Sequence, residues 1–188
     1  MKIYEIVNND LIVYHGSRSL FDKFDLEYSG DGHDLNGPGI YFTTSKYDAM
    51  TYGNYLITAK LHLRKIITPK TKTNIDVIKK LIDMSPEKDD VLTNYDENPT
   101  KAFDNAVKGI IIPNNAKESY ERVWYDFYRD ENKLYCENMT KLGYDAVKME
   151  IVGGYHYIVL NLNAIDIIDK HKLTKNEIQK ITDEHYKK

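Results

Sequence analysis

Short apolar runs at residues 2–7 and 11–15 read as two strands, divided by the turn signal Asn8-Asn9-Asp10. Residues 17–25 follow as a short turn or helix that carries Phe21 and Phe24 inward. Residues 30–39 hold four glycines and Pro38, a composition that inside a folded domain makes a mobile or ligand-binding loop. Residues 39–43 read as a buried strand. Ser45 then caps a short helix ending near Tyr52-Gly53, where the glycine suits the position just past a helix end. Along residues 55–65, Tyr55, Ile57, Ala59, Leu61 and Leu63 alternate with Leu56, Thr58, Lys60, His62 and Arg64, which is the period of a strand.

The middle of the chain changes period. Ile75, Ile78, Leu81 and Ile82 recur at helical spacing over residues 74–84. Residues 85–99 are polar, charged and bounded near both ends by proline, and read as a loop; a short helix follows at 100–107. Residues 119–142 form the longest periodic segment, with Val123, Trp124, Phe127, Leu134, Met139 and Leu142 on one side and Gly143 as its stop. Trp124 at that spacing is a core residue rather than a ligand box. Residues 144–151 and 155–162 pair across the Gly153-Gly154 turn, and a polar amphipathic helix closes the chain. Strands joined by tight turns around a helical middle predict an α+β fold with antiparallel pairing. The expected organisation is one domain over 1–188 with a helical insertion at about residues 66–142.

Composition narrows the functional classes. A net charge of −3 gives no global attraction to nucleic acid or anionic membrane. The basic stretch of Lys60, His62, Arg64, Lys65, Lys70 and Lys72 reads as a solvated strand edge and loop. The lone Cys136 excludes an intrachain disulfide and a Cys-rich zinc site, and it falls in a helical pattern as a structural thiol. The N-terminus has no continuous apolar core of a signal peptide, and no stretch has the length of a membrane span, so the expected location is the cytoplasm. There is no GxGxxG opening a helix and no GxxxxGK[ST], so neither a Rossmann nor a P-loop nucleotide site is supported.

Three segments carry candidate chemistry. In Tyr14-His15-Gly16-Ser17-Arg18 a strand ends in His and Gly, and the glycine lets backbone groups approach a flat amide closely. In Gly37-Pro38-Gly39-Ile40-Tyr41-Phe42, Tyr41 is followed eleven positions later by Tyr52, one ring on a strand and one on the adjoining helix. Two such rings can sandwich a planar heterocycle. The third segment is Tyr155-His156-Tyr157-Ile158-Val159-Leu160.

Taken together, HGSR, GPGIYF with Ala49-x-x-Tyr52, and YHYIVLNLNAI resemble the three blocks of the diphtheria-toxin-like and poly(ADP-ribose) polymerase-like ADP-ribosyltransferases, the His-Tyr-Glu branch. Their layout also looks like that of the small transferases of phages and bacterial toxin systems. The resemblance implies a split antiparallel sheet and NAD as co-substrate, without a metal. It implies that His15 bonds an NAD ribose hydroxyl, that Gly16 and Ser17 hold the carboxamide and ribose region, and that Tyr41 and Tyr52 sandwich the nicotinamide. Arg18, Gly39 and Ala49 complete the binding set, and the loop from Gly30 to Gly37 lies over the dinucleotide.

Two positions depart from the pattern. Ala49 replaces a hydroxyl that many relatives use on the carboxamide, a hydrogen bond of about 0.5–1.5 kcal/mol. The third signature position, usually Glu, is His156. A neutral imidazole accepts a hydrogen bond but brings no negative charge to an oxocarbenium-like state. Relatives without this Glu are associated with single-unit transfer or lost activity. Glu150, across the hairpin, is the nearest carboxylate in sequence. The implied activity is thus mono-ADP-ribosyl transfer to a protein or nucleic-acid acceptor. NAD glycohydrolysis and a non-catalytic NAD or ADP-ribose binder are left open, and so is an antitoxin or other regulator as partner of the helical middle. An RNA 2′-phosphotransferase would need basic residues for a phosphate, for which Arg18 alone is available. The arginine-targeting branch is disfavoured, since its Ser-Thr-Ser strand and paired-acid motif are missing from the sequence.

Overall fold

The computed structural model describes residues 11–29, 37–111 and 115–187. The expected strand at 2–7, its turn, and residues 30–36 of the glycine-rich loop lie outside the described residues. The chain runs β1 (Leu11–Ser17), β2 (Ile40–Thr43), α1 (Lys46–Met50), β3 (Tyr55–Leu61) and β4 (Ile66–Ile67). Five helices follow: α2 (Ile75–Asp83), α3 (Lys88–Leu92), α4 (Pro99–Ile111), α5 (Ala116–Phe127) and α6 (Asn132–Lys141). Last come β5 (Ala146–Ile151), β6 (Gly154–Val159), β7 (Ile165–Lys172) and α7 (Lys175–Tyr186). The fold is α+β, with the strands in one sheet of order β4-β5-β6-β2-β1-β3-β7. Its pairs are antiparallel except β4 with β5, which run parallel.

Strand alternation sorts the side chains onto two faces. Val13, Phe42, Tyr157 and Val159 point into the main core, where Ile78, Leu81, Ile110, Val123, Phe127 and Met139 of the helical middle cover them. Tyr14 and Leu56 point the other way and meet Ala49 and Met50 of α1 with Ile178 and Ile181 of α7. α1 is therefore laid on the face opposite the large helical layer. Cys136 is fully buried in the main core, and Trp124 packs against it with Nε1 donating to Asn132 Oδ1 at 2.7 Å.

Four elements differ from the sequence-based expectation. The segment 119–142 is two helices, α5 and α6, because the chain leaves helical geometry at Tyr128 (φ −139°), whose ring is fully buried and whose hydroxyl donates to the Leu81 carbonyl at 2.6 Å. The loop 85–99 contains α3, whose Leu92 is buried. The insertion expected to begin at residue 66 begins with a strand of the sheet, β4. β7 is an additional edge strand, with burial alternating only weakly along IDIIDKHK.

The basic stretch is partly structural. Arg64 reaches the buried Asp145, whose carboxylate also accepts from the backbone N–H groups of Arg64 and Lys65 and from Asn161 Nδ2. Lys65 Nζ lies 3.6 Å from the centre of the Tyr144 ring.

Candidate active site

β1 pairs with β3 at seven positions but with β2 at one, Tyr14 opposite Thr43. β2 pairs with β6 along its whole length. From His15 to Ser17, β1 and β2 therefore diverge and leave a seam in the sheet. His15 crosses it: its Nδ1 lies 2.8 Å from the Tyr41 carbonyl oxygen. A carbonyl only accepts, so Nδ1 carries the hydrogen and Nε2 is the acceptor nitrogen of the neutral ring. Burial lowers the imidazole's pKa, more than the bond to Tyr41 raises it, and keeps the ring neutral. Phe21, Phe24 and Phe42 surround it, with ring centres 6.1, 5.1 and 5.7 Å away. This is the inward direction expected of Phe21 and Phe24. Among the described residues Nε2 makes no hydrogen bond.

The other side of the seam is built by α1. Gly16 lacks a Cβ because one there would lie 1.7 Å from the Ala49 carbonyl oxygen and 3.3 Å from Tyr52 Cβ. α1 thus sits directly on β1, and Tyr52 follows its last turn with its N–H bonded to the Ala49 carbonyl at 3.1 Å. Tyr52, whose Cβ sits beside Gly16, is 56 % exposed, which leaves its side chain open to a planar partner. Ala49 is buried in the small core beneath α1, so its methyl group serves packing. Tyr41 donates its hydroxyl to the Gly37 carbonyl at 2.7 Å, and the Gly39 N–H is bonded to Ser29 Oγ at 2.7 Å. Ser17 Oγ donates to the Ser19 carbonyl at 2.7 Å, and Arg18 is exposed.

His156 stands opposite Thr43 in the β2–β6 register, so both side chains leave the sheet on the face that carries α1. There His156 Nε2 lies 2.6 Å from Asp48 Oδ2. The hydrogen bond from His156 holds the Asp48 carboxyl below the usual carboxylate range, against partial burial and with help from the Thr43 hydroxyl. The Tyr52 phenol is pushed up by desolvation and by the charge on Asp48. Glu150 pairs with Tyr155, one position along from His156, so its exposed side chain leaves the opposite face.

The structure thus sets His15 on the Phe42 side of the seam and Gly16, Tyr52 and His156 on the side that carries α1, with Tyr41 tied to His15 through its carbonyl; Asp48 and Thr43, beside His156, are neighbours that motif reading missed. Asp48 has a sequence signal, but a misleading one: Ser45-x-x-Asp48 reads as an ordinary helix start. Among the described residues no group of three or more His, Cys, Asp or Glu side chains could hold a metal ion. An acid-lined hollow beside Glu27, Asp130, Glu131 and Glu137 includes none of the seam residues.

The family described as ADP-ribosyltransferase in polyvalent proteins matches residues 9–175. Among solved structures, a chain described as the crystal structure of an anti-CRISPR protein is 17% identical with a TM-score of 0.40, over 89% of this chain and 99% of that chain. None of the curated proteins matches.

Proposed function

The chain belongs to the ADP-ribosyltransferases of polyvalent proteins, and on that premise we propose that it is a mono-ADP-ribosyltransferase of the His-Tyr-Glu type. It takes NAD as co-substrate and passes ADP-ribose to a protein or nucleic-acid acceptor. The observation that carries this reading is the seam itself: a neutral His15 with an acceptor nitrogen on one side, and the exposed Tyr52 beside Gly16 on the other. An imidazole acceptor suits a ribose hydroxyl, and an open aromatic face suits a nicotinamide ring. Holding both ends of the nicotinamide riboside fixes the bond to be broken, and orientation of this kind accounts for much of enzymatic rate enhancement. His156 in the third position favours transfer of a single unit over chain growth.

The test is nicotinamide release from NAD by the purified protein, followed by transfer of adenine-labelled NAD into lysate protein or nucleic acid. Tyr52→Ala is expected to lower release by about 100-fold, the scale of a misoriented substrate, with the thermal midpoint unchanged. Unchanged turnover in that variant would place the nicotinamide elsewhere. Release without macromolecular label would identify water as the acceptor.

A further inference from the structure

The resemblance puts a carboxylate on the strand that here carries His156, and this chain has a carboxylate within hydrogen-bond reach of that histidine, on Asp48. We propose that Asp48, carried by α1 to the β2 side of the seam and held there by His156, is the catalytic carboxylate: it accepts a hydroxyl of the nicotinamide ribose and faces the positive charge that grows on that sugar. The proposal rests on the NAD-cleaving reading above.

Three observations carry it. The first is position. Thr43 and His156 stand side by side in register, Asp48 Oδ2 is 2.6 Å from His156 Nε2, and the Asp48 charge reaches the phenol of Tyr52. The second is that the helix start leaves this carboxylate unused. Ser45 Oγ accepts from the Asp48 N–H at 3.2 Å, which is half of a capping box. The other half would have the Asp48 carboxylate accept from the Ser45 N–H, but Thr43 Oγ1 accepts that hydrogen at 3.1 Å. The third is access. Asp48 is 27% exposed, whereas the structural Asp145 is 1% exposed and saturated by its donors.

The step balances without another reagent. The bond between nicotinamide N1 and ribose C1′ breaks, and its electron pair leaves on the nitrogen of neutral nicotinamide. The acceptor's nucleophilic atom supplies the pair of the new bond to C1′ and loses its proton to solvent. Asp48 remains ionised and forms no covalent bond, so its contribution is electrostatic. His156 is a positioning residue that acts through Asp48.

The decisive comparison uses Asp48→Asn, which keeps an acceptor for His156 while removing the charge, measured beside wild type and Asp48→Glu. Binding is followed by calorimetry with NAD+ and with NADH, whose nicotinamide rings differ by one positive charge. Wild type is expected to prefer NAD+, and Asp48→Asn to lose about tenfold of that preference with NADH affinity and thermal midpoint retained. Nicotinamide release should fall in kcat by about 100-fold with a smaller change in KM, as when one preorganised electrostatic group is removed. Asp48→Glu should keep the NAD+ preference and recover part of kcat. His156→Gln should shift the acid limb of the pH–rate profile upward, because Asp48 loses its main stabilising donor. If Asp48→Asn does not fold, Asp48→Ser repeats the comparison. Equal wild-type affinity for the two dinucleotides, or an Asp48→Asn protein with wild-type preference and kcat, overturns the assignment and leaves the transferase reading standing. A wild-type protein that neither binds NAD+ nor releases nicotinamide overturns both.

Discussion

Asp145 and Asp48 are both carboxylates drawn down by hydrogen bonds, yet their surroundings give them different work. Asp145 is enclosed, and its oxygens serve backbone N–H groups of Arg64 and Lys65 as well as Asn161. The Arg64 guanidinium on the same carboxylate is 77% exposed. Removing the acid leaves interior donors without partners, while removing the cation leaves a carboxylate that still has three donors. Asp145→Ala should therefore cost about 3 kcal/mol in urea unfolding, the scale of a few unsatisfied interior donors, and Arg64→Ala should barely move the midpoint. Equal effects would show that the ion pair itself matters. The residues of the motif, His15, Gly16, Tyr41, Tyr52 and His156, were legible in sequence because their spacing is local to three short segments. Asp48 was not, because its neighbour Ser45 offers a complete local explanation for an acid three residues into a helix, and only the β2–β6 register brings His156 to it.

Among the elements, those with their own start and stop signals were legible. Asn74 caps α2 by accepting from the Asp76 N–H, and Gly143, at φ 88°, follows the helix end as expected. α7 has the most complete start: Thr174 Oγ1 accepts from the Glu177 N–H, and the Glu177 carboxylate accepts from the Thr174 N–H. Since α7 has no fully buried residue, its start depends on this cap more than on packing. Thr174→Ala should cost about 1 kcal/mol and speed hydrogen exchange in the first turn of α7, with exchange in β6 unchanged. Unchanged exchange in α7 would mean that its contacts with α1 suffice. The elements that escaped the sequence lack such signals. The apolar period runs through the α5–α6 break, because buried Tyr128 fills a core position while its backbone leaves the helix. β7 mixes Asp, Lys and His with isoleucines because it is an edge strand, and β4 is two residues long.

At the scale of the whole molecule, three groups that titrate on the acid side, His15, Asp48 and Asp145, act in one direction. His15 is lowered by burial, Asp48 by the His156 hydrogen bond, and Asp145 by the Arg64 and Asn161 bonds that outweigh its desolvation. Each binds its proton less readily when folded, so acidification favours the unfolded chain. Stability should be fully present above the ordinary imidazole value of about 6.5 and fall as pH drops, with His15 contributing first and the carboxylates below about pH 4. Thermal midpoints measured from pH 8 to 4 should show the decline, and His15→Gln should flatten its upper part. A wild-type midpoint that is flat between pH 7 and 5 would mean that His15 is not held neutral.

The single rung between β1 and β2 has a mechanical consequence. A continuous ladder resists being spread because its rungs must yield together, whereas here one strand pairing joins two half-sheets, β4-β5-β6-β2 and β1-β3-β7. Compliance is concentrated along that line, like the spine of a book. α1 touches β1, β2 and β3 and so acts as a clasp across the spine. A guest that wedges the covers apart must strain the clasp and stretch the imidazole tie to Tyr41. Shape selectivity is then set by how far the spine opens, and substitutions far out on either cover should leave it untouched.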